Sequence, residues 1–183
     1  MAPTGQVTAS EVQAMLKDEG LAGSWTLDAS RSTVALRSKS MWGLAPVKGT
    51  FREVAGSGTV SPDGQVSGTI TVAAASVDTK IAKRDAHLRS AEFFHAERHP
   101  HITVRVDRIT PSGQGVTVTG TLTVRDRTRP LSFDATVSAR DAGEVSLDAE
   151  VQVDRSDFGM TWSPMRMASM RNTITIHAVF TRV

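Results

Sequence analysis

From Trp25 onward the apolar positions of this chain recur at every second residue. Val116, Val118, Gly120, Leu122 and Val124 fall on one side of segment 116–124, and Thr117, Thr119, Thr121 and Thr123 fall on the other. That is the side-chain period of a strand with one buried face. Leu131, Phe133, Ala135 and Val137 repeat the pattern, Val145, Leu147, Ala149, Val151 and Val153 alternate with polar residues, and Ile174, Ile176, Ala178 and Phe180 continue it. Earlier strands are expected over 33–39, 47–54, 56–60, 66–75 and 102–109. Pro62-Asp63-Gly64, Pro111-Ser112-Gly113 and Asp141-Ala142-Gly143 mark turns, so most neighbours are antiparallel hairpins. Eight or nine such strands are best closed on themselves, because closure removes sheet edges. The expected fold is therefore all-β: an antiparallel barrel of about eight strands, whose interior is either filled by side chains or occupied by one small ligand.

Two segments break the period of two. Residues 8–19 read as a short amphipathic helix, with Thr8 and Glu11 at capping-box spacing, Val12, Met15 and Leu16 in one stripe, and Gly20 as a stop. Residues 78–99 form a polar insert in which Asp78 or Thr79 caps a helix carrying Leu88, Ala91 and Phe93 or Phe94, and Pro100 ends it. A chain of 183 residues suits one core domain. The expected organisation is a helical extension over 1–23 and a barrel domain over 24–183.

Charge and composition narrow the function. The 21 basic and 19 acidic residues are spread along the chain without a basic run, which argues against nucleic acid as a partner. The absence of cysteine excludes disulfides, thiol nucleophiles and thiolate metal sites, and no apolar run approaches the length of a transmembrane helix. The first twenty residues lack the basic and apolar regions of a secretory signal, so a cytoplasmic location is expected.

Aromatic residues make up only 5% of the chain, and the inferred inner faces carry mainly Val, Ala, Leu, Ile and Gly. Such faces leave room for a ligand, although alternation alone is equally met by a close-packed core. Segment 158–170 adds Phe158, Met160, Trp162, Met165 and Met167 in a loop broken by Pro164, and flexible thioethers suit a surface that repacks around an apolar chain. Met41, Trp42 and Leu44 form a second cluster. Both clusters read as ligand lining, with core packing or a dimer contact as the alternatives.

Catalytic patterns are sparse. His95, His99 and His101 have an HxxxH spacing plus one imidazole, but no Asp or Glu completes a ligand set and Pro100 interrupts the helix. No GxSxG elbow and no phosphate-cradling glycine loop is present. Arg84, Asp85 and Arg89 either tie the insert to the barrel or offer guanidinium groups to an anionic head group.

The segments WTLDASRSTV, KGTF, SVDTKIAKRDAHLRSAEFFHAERHPHITV, GTLTVRDRTRPLSF and VDRSDFG, in this order, resemble the YceI-like, polyisoprenoid-binding family of lipocalin-like bacterial proteins, over roughly residues 25–183. The resemblance implies a lipocalin-like barrel with an apolar pore that takes up a long isoprenoid chain, often as a homodimer and without catalysis. The family motifs fall on Arg84, Asp85, His87, Leu88, Arg89, Phe93 and Phe94, and on Asp154, Arg155, Phe158 and Gly159. This chain departs from the family near Ser40, where a histidine is frequent, and at His95, where Asp is more usual. It departs again in having a helical extension where many members carry a signal peptide.

These observations together predict a binding protein and not an enzyme, with no cofactor and with an isoprenoid, quinone or similar amphiphile as partner. The expected ligand-binding residues are Met41, Trp42, Leu44, Arg84, Arg89, Phe93, Phe94, Phe158, Met160, Trp162, Met165 and Met167. A metal-dependent enzyme acting on a lipid and a ligand-free interaction module are the competing possibilities.

Overall fold

The alternating segments form strands, and every pairing between them is antiparallel. The computed structural model describes residues 5–17, 20–141 and 143–183. In chain order these carry β1 (Gln6–Val7), α1 (Ala9–Lys17), β2 (Gly23–Leu27), β3 (Thr33–Ser40), β4 (Ala45–Phe51), β5 (Val54–Val60), β6 (Val66–Ala73), β7 (Val77–Asp78) and α2 (Ala82–Arg89). There follow β8 (His101–Ser112), β9 (Gly115–Val124), β10 (Arg127–Asp141), β11 (Glu144–Asp154) and β12 (Arg171–Arg182). The ring β2-β5-β6-β8-β9-β10-β11-β12 closes back on β2. The barrel therefore has eight staves and no open edge along that ring.

Two staves are bent. Residues 180–182 of β12 pair with β2 and residues 173–177 pair with β3, so β2 and β3 are halves of one stave interrupted at 28–32. The interruption is held together locally. Val179 N–H donates to the Ser32 hydroxyl at 3.0 Å in place of a ladder carbonyl, and Asp28 accepts from Ser30 and Arg31. The Ser30 hydroxyl and Arg31 together hold the Asp28 carboxyl down to about 2, from an ordinary 3.8. The second bent stave is β4 with β5. Where one strand over 47–54 is expected, β4 ends at Phe51 because the N–H groups of Arg52 and Glu53 turn to the carbonyl and hydroxyl of Ser76.

Cross-strand register places the predicted apolar faces together. Ile70, Val104 and Leu122 stand in one row across β6, β8 and β9, and Ala135, Ala149, Ile176 and Val34 stand in another across β10, β11, β12 and β3. Strand β8 is longer than expected and changes phase. A bulge between Val106 and Arg108 lets Ile109 rejoin the inner face three residues after Val106. There β9 runs so close that a Cβ on Gly120 would lie 1.8 Å from the Arg105 carbonyl oxygen, so only glycine fits. Pro111 lies within β8, opposite Val116, and the turn falls at Gly113 instead. Its missing N–H costs nothing, because β6 pairs with β8 only up to Val106. In the predicted 141–143 turn the Gly143 N–H donates to the Asp141 carboxylate at 2.7 Å, while Ala142 lies outside the described residues.

Helix α1 begins as the capping box predicts: Glu11 N–H donates to the Thr8 hydroxyl at 3.3 Å, and Thr8 N–H donates to the Glu11 carboxylate at 2.7 Å. The expected last residues of this helix, Asp18 and Glu19, lie outside the described residues. Helix α2 is shorter than the 78–99 insert and is not capped by Asp78 or Thr79; its N-cap is Ile81, without a side-chain bond. The relation is reversed, because the Thr79 N–H and hydroxyl donate to the buried Asp85 carboxylate at 2.8 and 2.5 Å. After Arg89 the chain leaves the helix at Ser90 (ψ 170°) and runs in turns to Pro100.

Candidate ligand-binding cavity

The inward residues enclose a space of about 830 Å³, toward the upper end of the range of small-molecule sites. Its middle is apolar: Ile70, Val104, Leu122, Phe133, Ala149 and Ile176 face it from six strands. Many inward side chains, Phe133 and Ile176 among them, are only half-buried, because they face open lumen and not one another. That separates a hollow barrel from a close-packed one, a distinction alternation could not make.

Helix α1 closes one end. It starts beside the β8–β9 turn, where the Ala9 N–H donates to the Gly113 carbonyl, just after β1 has paired with β10. It ends against the β5–β6 turn, where a Cβ on Gly64 (φ 83°) would lie 3.0 Å from the Leu16 carbonyl oxygen. The helix thus runs over this barrel end from the β8–β9 turn to the β5–β6 turn. Val12 packs with Val116, Val118, Ala135 and Val137, and Val12 and Leu16 line the cavity floor beside Trp25.

The other end is polar and cationic. Lys39, Lys83, Arg84, His87 and Arg155 line it, and no acidic residue is among the lining residues. Ile81 and Trp162 both line the cavity and are exposed, which marks this end as the mouth. Arg155, although buried, makes no salt bridge among the described residues. It donates to the carbonyls of Met160 at 2.7 Å and Ser169 at 2.9 Å and lies 5.3 Å over the Phe93 ring. Burial pushes its guanidinium down, opposed by the Asp154 carboxylate. The rings of His87 and Trp162 meet edge-on at 4.4 Å, and both contact Phe93. This cluster offers an apolar ring edge and a positive charge at the same point.

Six of the twelve expected binding residues line the cavity: Arg84, Phe93, Phe94, Phe158, Met160 and Trp162. Met41, Trp42, Leu44 and Met165 stand exposed on the rim, outside the lining, and Met167 is half-buried beside them. Three of them have left-handed backbone, with φ 49° and 55° at Met41 and Trp42 and 52° at Met165, and there the loops turn outward. Arg89 also stands outside the lining and donates to the carbonyls of Ala75 and Val77, tying α2 to the wall. Arg84 combines both expected roles, donating to Thr79 while lining the mouth. The lining also includes Arg155, His87, Lys83, Val12, Leu16 and Trp25, which sequence reasoning did not place there. Arg155 and His87 lie inside the quoted motifs, so a signal existed for both. His95 and His99 lie with ring centroids 5.7 Å apart in the turns after α2, not on one helix face, and no group of three metal-ligating side chains is assembled among the described residues.

Comparison with known proteins gives the same architecture. The family model of the YceI-like domain matches residues 25–181. A UPF0312 protein of Serratia proteamaculans is 33% identical over 97 residues, 50% of each chain, and protein YceI of Salmonella arizonae is 29% identical over 126 residues, 65% of this chain and 66% of the relative. The chain thus spans half to two thirds of the length of these curated relatives. Among solved structures, BcnA of Burkholderia cenocepacia superposes with a TM-score of 0.75 at 23% identity, over 84% of this chain and 98% of that one. A polyisoprenoid binding domain from Saccharophagus degradans, implicated in plant cell wall breakdown, superposes with a TM-score of 0.70 at 15% identity, over 87% and 98%. At these identities the likeness is one of fold.

Proposed function

Because this chain belongs to the YceI-like domain family, we propose that it carries an isoprenoid-type amphiphile, a polyprenyl or prenyl-quinone molecule, with the tail in the lumen and the head at the mouth. The observation that carries this reading is the hollow apolar lumen of about 830 Å³, with α1 across one end and a cationic mouth at the other. Each methylene-sized group moved from water into such a lumen contributes about 0.8 kcal/mol, before ordering costs are subtracted. The Saccharophagus domain of the same fold, described as polyisoprenoid binding, supports the choice of ligand class. Arg84, Lys83 and Arg155 supply charge-assisted donors for a polar or anionic head. On this reading no bond is made or broken, and the protein transports, stores or sequesters its ligand.

Ala149 lines the lumen between Ala135 and Ile176. Ala149→Trp fills that level of the barrel. Native mass spectrometry with geranylgeraniol should show one adduct per wild-type chain and at least a tenfold lower bound fraction for the variant. A wild-type protein that takes up no prenol, or a folded Ala149→Trp variant that binds as the wild type does, overturns the proposal.

A further inference from the structure

The rim carries an apolar surface that the lumen does not use. Of the large apolar side chains exposed among the described residues, all but Val183 stand at the mouth end: Met41, Trp42, Leu44, Ile81, Trp162 and Met165. Leu44 is 84% exposed, Met165 78% and Trp42 63%. They are not loose. Trp42 donates its N–H to the Met167 carbonyl at 3.1 Å and its indole N–H to the Met165 carbonyl at 3.3 Å, which joins the two loops into one platform. Consecutive left-handed residues, Met41 with Trp42 and Met165 with Arg166, hold those side chains outward in a backbone conformation that residues with a Cβ rarely adopt.

The charged side chains that line the mouth beside this platform are all basic. Lys39, Lys83, Arg84 and Arg155 line the mouth, Arg166 follows Met165, and the nearby Glu92 is engaged by His87. We infer that the rim docks on the surface of an anionic lipid bilayer, with Trp42, Leu44 and Met165 entering the interfacial layer and the cations meeting the head groups. Indole rings favour that depth, and basic residues beside an apolar cluster add electrostatic attraction to anionic lipid. A second copy of the chain fits less well, because a symmetric contact there would set two cationic rims face to face. Docking rests on the carrier function for its purpose, since a prenyl amphiphile must leave a membrane to reach the lumen, and this surface surrounds the opening through which it would pass.

The test is co-sedimentation of the full chain with vesicles of phosphatidylglycerol and phosphatidylcholine, against phosphatidylcholine alone, at low and high salt. Binding is expected to the anionic vesicles, to fall as salt rises, and to weaken at least tenfold in the double variant Leu44→Ser/Met165→Ser, whose exposed positions leave the fold intact. Absence of binding to anionic vesicles, or equal binding by the double variant, overturns docking. So does a concentration-dependent dimer in analytical ultracentrifugation that the same variant abolishes, which would assign the face to a second copy. Prenol uptake by the wild-type chain without vesicles is read separately. Uptake without vesicle binding overturns docking alone, and vesicle binding without uptake overturns the carrier function while docking stands.

Discussion

Single residues hold the irregular joints of the barrel, and their chemistry sets testable stabilities. Asp85 is buried, and its carboxylate is the acceptor for both the N–H and the hydroxyl of Thr79. Asp85→Ala removes that acceptor and leaves buried donors unmet, so urea denaturation should show a loss of about 1–3 kcal/mol. Asp28 works in the bend between β2 and β3. Its carboxyl is held at about 2, below its ordinary 3.8, so it contributes stability above the ordinary value and loses that contribution as pH falls through the lower one. Asp28→Asn should lower the thermal midpoint at neutral pH, and the wild-type and variant midpoints should converge as pH is brought from 4 toward 2. Neither role was legible in the sequence, because each is a contact across a turn whose backbone geometry no hydrophobic period encodes. Arg155 is a sharper case. Its motif was visible, but its burial over Phe93 depends on three loop carbonyls, two of them more than ten residues away.

Elements were easier to read than joints, because burial of one face imposes a period that survives without knowledge of partners. Strands β9 to β12 were legible for that reason, since each alternates over most of its length. Strand β2 was missed because only Trp25 and Leu27 carry its signal, and the bulge in β8 was missed because it changes the period it would be read from. The polarity of the insert and Pro100 predict one helix, yet Ser90 ends α2 ten residues earlier. The stripe of Val12, Met15 and Leu16 predicts the amphipathic α1, but its place over the barrel end follows only from the contacts of Ala9 and Leu16. As the floor of the cavity it sets the depth available to a ligand. Val12→Ala with Leu16→Ala removes five carbon atoms in all, the carbon content of one isoprene unit. In a graded prenol series, the longest chain retained should lengthen by about one unit. An unchanged limit in a folded variant would show that the floor does not determine length.

At the scale of the molecule, closure into eight staves creates the lumen, α1 lies across one end of it, and Lys39 of β3, the basic side chains of α2 and Arg155 give it a cationic mouth. Sequence period reached the barrel but not its emptiness, because hollow and filled barrels share the same alternation. The rim residues show the same limit: Met41, Trp42, Leu44 and Met165 look like lining by composition, yet all four stand exposed, three of them on left-handed backbone. The central claim is that the lumen holds a prenyl-type amphiphile, and native mass spectrometry of the full chain purified from its own host, followed by organic extraction, tests it most directly. One extractable prenyl-type molecule per barrel is predicted, and consistently empty protein that also takes up no prenol in vitro would contradict it.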